Sequence, residues 1–77
     1  MTMKEYETLK VGDLVTQVKG RNKGKHAKVI NIWDLTDSDG YREILIDAVY
    51  LDPELHNPNH YCDIDCNYRQ LRRIYPD

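Results

Sequence analysis

Val11-Gly12-Asp13-Leu14-Val15-Thr16-Gln17-Val18-Lys19 runs into Gly20-Arg21-Asn22-Lys23-Gly24-Lys25-His26, and that loop into Ala27-Lys28-Val29-Ile30-Asn31-Ile32-Trp33. The two outer runs are rich in Val, Ile and Thr, whose branched side chains suit a pleated strand. The middle segment holds two glycines, which enter positive φ at no steric cost and let a short loop turn. A hairpin is the expected product, with strands near Leu14 to Lys19 and Ala27 to Trp33. Its cations would stand on a protruding tip.

Working outward, turn signals recur at Asp37-Ser38-Asp39-Gly40, Asp52-Pro53 and Asn57-Pro58-Asn59, since Pro fixes φ and Asp and Asn bond to nearby backbone. Between them lie apolar segments that read as strands near Glu43 to Tyr50, Tyr61 to Asp65 and Leu71 to Tyr75. Asn67-Tyr68-Arg69-Gln70 fits one capped helical turn before the last strand. Glu5 to Lys10 is too short for a helix that stands without packing. Residues 1–77 therefore read as one all-β domain, a small five-stranded barrel of SH3-like type. In the third strand Ile44, Ile46, Ala48 and Tyr50 share a face, and Leu45, Asp47 and Val49 mix on the other, so both faces are expected to be partly covered.

The segment Val11 to Trp33 resembles a KOW motif, through Gly12, Asp13, Val15, Gly20, Lys23, Gly24, Lys28 and Val29. Ala27 departs from it, standing where that family carries glycine. The resemblance is to the hairpin of NusG-type transcription factors and of a family of large-subunit ribosomal proteins. It implies an SH3-like barrel and a partner among nucleic acids or the nucleoprotein machines of transcription and translation. Small stand-alone barrels of this kind also resemble accessory proteins of tailed phages.

Charge points to the same hairpin. The net charge is −2, yet residues 19–28 carry five cations and no acid, whereas residues 34–65 carry nine acids against the single base Arg42. Lys19, Arg21, Asn22, Lys23, Lys25, His26 and Lys28 are the candidate nucleic-acid-binding residues, because cations on a protruding tip neutralise phosphates whatever the base sequence. Arg69, Arg72 and Arg73 would extend this basic edge, and Trp33 or a tyrosine could stack on a base. A charged loop that only keeps a hairpin soluble has the same composition. A second reading makes the acidic stretch the working surface, docking a basic protein partner as an inhibitor or adaptor.

Other chemistries find less support. His56, His60, Cys62 and Cys66 are zinc-ligand types within eleven residues, but one extended strand would hold the two cysteine Cα atoms about 13 Å apart. No metal or cofactor is expected, and the thiols are expected to be reduced. Trp33, Tyr41, Tyr50, Tyr61 and Tyr68 would form a methyl-lysine cage only if they gathered; packing in the barrel is the simpler role for each. The only serine, Ser38, sits between two aspartates in a turn, and no phosphate-binding, dinucleotide or zinc-protease motif is present. A chain of 77 residues also has little room for a catalytic pocket, so a non-enzymatic protein is expected. Asp47 interrupts the most apolar stretch, and Met1 to Glu5 does not look like a secretory signal. A soluble cytoplasmic protein is the expectation.

Overall fold

Ala27 and Val29 are buried while His26 and Lys28 are exposed, the alternation of a strand with one dry and one wet face. The same rule organises the whole computed structural model, which describes residues 1–75. Its strands are β1 (Leu14–Gln17), β2 (His26–Thr36), β3 (Arg42–Tyr50), β4 (Ile64–Asn67) and β5 (Leu71–Ile74). One five-stranded antiparallel sheet results, in the order β4-β3-β2-β1-β5. Strands β1 to β4 pair in sequence, and β5 returns to lie beside β1. The edge strands β4 and β5 are not bonded to each other, so the ladder does not close.

The core lies on one face of this sheet. Val15, Ala27, Val29, Ile46, Ala48 and Leu71 are fully buried, and Leu9 and Tyr68 close over them from outside the strands. Burying a side chain the size of Ile46 contributes about 1.5–3 kcal/mol. Helix is confined to α1 (Met3–Glu7) and a 3-10 turn at Tyr68–Gln70. Thr2 and Glu5 cap α1 reciprocally. Five residues are too few to hold a helix by propensity, and Arg73 ties it down, donating to the Glu5 carbonyl at 3.3 Å, to the Thr8 hydroxyl and to Asp13 at 3.1 Å. The 3-10 turn is capped by Asn67, whose side chain accepts from the Arg69 amide at 3.0 Å.

Several bounds differ from the expected elements, and β1 ends at Gln17 rather than Lys19. β2 runs on to Thr36 and carries a bulge between Val29 and Asn31, which reverses the side-chain phase along the strand. β4 begins at Ile64 rather than Tyr61. The reason is Asp63, whose side chain takes the place of ladder pairing at the end of β3. Its carboxylate, 3% exposed, accepts from the Tyr50 amide at 2.9 Å and the Asn57 amide at 2.8 Å, and meets His56 Nδ1 at 2.8 Å. The segment 51–63 is thereby clamped to the sheet.

Burial alone would raise the Asp63 pKa, but the Asn57 amide, the His56 ring and the Tyr50 amide outweigh it and hold the carboxyl below its usual range. A depressed folded value means that this stability is fully present above the unfolded value of about 3.9 and is lost as pH falls through the folded one. Asp63→Ala is expected to lower the unfolding free energy at pH 7 by roughly 2–4 kcal/mol, since several charge-assisted bonds disappear together. In urea titrations the gap between wild type and variant should narrow once the pH drops below about 3.9.

Candidate nucleic-acid interface

The loop joining β1 to β2 is held by its own backbone. Gly20 and Gly24 have φ of 90° and 89°, a conformation that strains any residue with a Cβ. The Lys23 amide donates to the Gly20 carbonyl at 3.2 Å, the Lys25 amide to Asn22 at 3.0 Å and the Gly24 amide to Gln17 at 2.7 Å. Successive turns therefore close the tip, as two glycines at this spacing predict.

Beneath it sits Tyr50, the last residue of β3, 9% exposed. Its hydroxyl donates to Gln17 Oε1 at 2.6 Å and accepts from Asn22 Nδ2 at 3.1 Å. Gln17 in turn donates to the Lys19 carbonyl at 2.9 Å. Asn22 is thus half-buried and anchors the loop from within.

Lys19, Arg21, Lys23, Lys25, His26 and Lys28 are all exposed. The ion pairs among the described residues are Arg42 with Asp34, His56 with Asp63 and Arg73 with Asp13, and none involves a cation of residues 19–28. The tip therefore presents cations that pair with no carboxylate among the described residues. Of the later arginines, Arg72 joins this surface: Thr16 pairs with His26 on one side and Arg72 on the other, so all three lie in one row across the outer face. Arg69 stacks over the Tyr68 ring at 5.6 Å, and Arg73 turns away to Asp13 and α1.

The acidic stretch is put to structural use. Asp34 pairs with Arg42 and accepts from the Tyr6 hydroxyl at 3.1 Å. Asp37 accepts from the amides of Asp39 and Tyr41, each at 2.9 Å, and Asp52 from the Glu54 amide at 2.9 Å. Asp47 is buried, 3% exposed, and accepts from the Trp33 indole at 2.7 Å. With Asp63 these make five of the nine acids engaged in holding the fold. Of the rings that a cage would need, Tyr50 and Tyr68 are buried while Trp33, Tyr41 and Tyr61 are exposed.

The four zinc-ligand types do not act together either. His56 is taken by Asp63, and Cys66 packs against the core, where burial pushes its thiol up to about 11. Both cysteines are free. What the sequence did not disclose is the pairing of Trp33 with Asp47, and the position of Tyr50 under the loop. A lone aspartate inside Ile44 to Tyr50 was the visible signal for the first; its partner depends on strand register. No helix among the described residues is long and apolar enough to cross a membrane.

Tyr50→Phe removes one hydroxyl and leaves Gln17 and Asn22 short of a partner. It is expected to cost about 1–2 kcal/mol in chemical denaturation and to speed hydrogen exchange at the Gly24 and Lys25 amides. No protein-family model, curated protein or solved structure matches this chain.

Proposed function

We propose that this chain is a non-catalytic binding module, an SH3-like barrel that contacts nucleic acid or a cytoplasmic nucleoprotein complex through its KOW-like basic hairpin. The observation that carries the reading is the set of exposed, internally unpaired cations on a loop whose backbone is fixed. A fixed tip spends less ordering entropy on binding than a floppy one, and lysines that find no internal carboxylate are free to displace counterions from phosphates. The sheet order, in which β1 to β4 pair in sequence and β5 returns to β1, is compatible with the barrel reading. Ala27 is compatible with it: the methyl group points into the core at 0% exposure, between Val15 and Tyr50.

The test is fluorescence anisotropy with labelled duplex DNA, single-stranded DNA and RNA across a series of salt concentrations. Affinity should fall linearly with the logarithm of salt. Replacing Arg21, Lys23 and Lys25 together by Ala should reduce that slope by about 2–3 and weaken binding at least tenfold at low salt. Binding that ignores salt, or survives the triple substitution unchanged, would remove the basis for the proposal. Capture of a partner that persists after nuclease and after the triple substitution would favour the acidic face instead.

A further inference from the structure

Asp47 and Asp65 are directly opposite each other on β3 and β4. Like charges in that position repel, and ordinary sheets avoid them. Both project from the outer face, away from the apolar core, yet Asp47 is 3% exposed and its Oδ1 is buried without any hydrogen-bond partner. Its other oxygen is fixed by the Trp33 indole at 2.7 Å. Cys62, in the segment leading into β4, completes the group: a carboxylate oxygen of Asp47, Sγ of Cys62 and a carboxylate oxygen of Asp65 all lie within 4.8 Å of one another. A buried carboxylate oxygen lacking a donor is destabilising, and the Asp47 carboxylate lies beside a second acid and a thiol.

We propose that Asp47, Cys62 and Asp65 form a zinc-binding site. One thiolate with two carboxylates is a borderline-soft donor set, which favours Zn²⁺ over Mg²⁺ or Ca²⁺. Bonds of about 2.0–2.3 Å to a tetrahedral ion place neighbouring ligand atoms about 3.5 Å apart, so a small inward adjustment of side chains closes the triangle. Asp47 is already oriented by Trp33, as a ligand held by an outer hydrogen bond should be. Asp65 is exposed and Cys62 half-exposed, which gives the ion an entry path and leaves its fourth position to water. Asp63, between them in the chain, is locked by its amide partners and so fixes the backbone on which both ligands stand. Binding releases the Cys62 proton as the sulfur takes the metal. The ion offsets the repulsion between the two acids and supplies the buried Oδ1 with a partner. This set shares only Cys62 with the histidine and cysteine cluster that stands out in the sequence.

The experiment is titration of the reduced full chain with Co²⁺ as a spectroscopic stand-in, followed by displacement with Zn²⁺. A thiolate-to-cobalt charge-transfer band should appear in the near ultraviolet in wild type and in Cys66→Ala, and be absent in Cys62→Ser. Asp65→Asn, at an exposed edge where folding should be unaffected, is expected to weaken Zn²⁺ binding roughly tenfold or more. Saturating Zn²⁺ should raise the wild-type Tm by about 4 °C or more, with no rise in Cys62→Ser. Trp33, the only tryptophan, gives a further readout, because its emission should change as Asp47 takes the ion. Absence of the band in wild type, or its persistence in Cys62→Ser, overturns the proposal, as does an equal Tm shift in both proteins. None of these readouts depends on nucleic-acid binding.

Discussion

Tyr50 ties three parts of the molecule to one residue. Its ring is buried among the core side chains, its amide donates to Asp63, and its hydroxyl bonds to Gln17 and Asn22. The first contact belongs to the sheet, the second to the clamp on segment 51–63, the third to the basic loop. A phenol suits this junction because one end is apolar and the other both donates and accepts. The loop that carries the cations is therefore braced by the same side chain that seals the end of β3, and its shape follows from the core.

The charges sort themselves by hydrogen-bonding capacity. A carboxylate accepts from backbone amides, and turns are where amides lack partners, so Asp37, Asp52 and Asp63 fold back to finish the loops they occupy. A lysine only donates and accepts nothing from a backbone amide, and the lysines of residues 19–28 stay outside. A net charge of −2 thus conceals a surface on which much of the negative charge is engaged internally and the hairpin's positive charge is not.

Much of this was legible in the residues. The β1–β2 hairpin, the positive φ at Gly20 and Gly24, the dry face of Ile44, Ile46, Ala48 and Tyr50, and the Asn67-capped turn all follow from local rules of period and turn chemistry. What escaped depends on register. Asp47 opposite Asp65, and Trp33 reaching Asp47, require knowing which residues of separate strands face each other. Asp63 lies within the run Tyr61 to Asp65 that reads as a strand; its side chain instead satisfies amides at a strand end, which no pattern along the chain records. Asn22 groups with the cations by its place in the loop, and its bond to Tyr50 depends on tertiary position.

The bulge at Ile30 gives β2 two characters. Before it, even-numbered residues face outward and present His26 and Lys28; after it, odd-numbered residues do, and present Asn31 and Trp33. An unbroken ribbon would have put Ile30 and Ile32 in water and driven the indole into the core. One inserted residue thus lets a single strand carry a cationic patch at one end and an indole over a buried carboxylate at the other, two chemically unlike surfaces whose separation is set by the backbone they share.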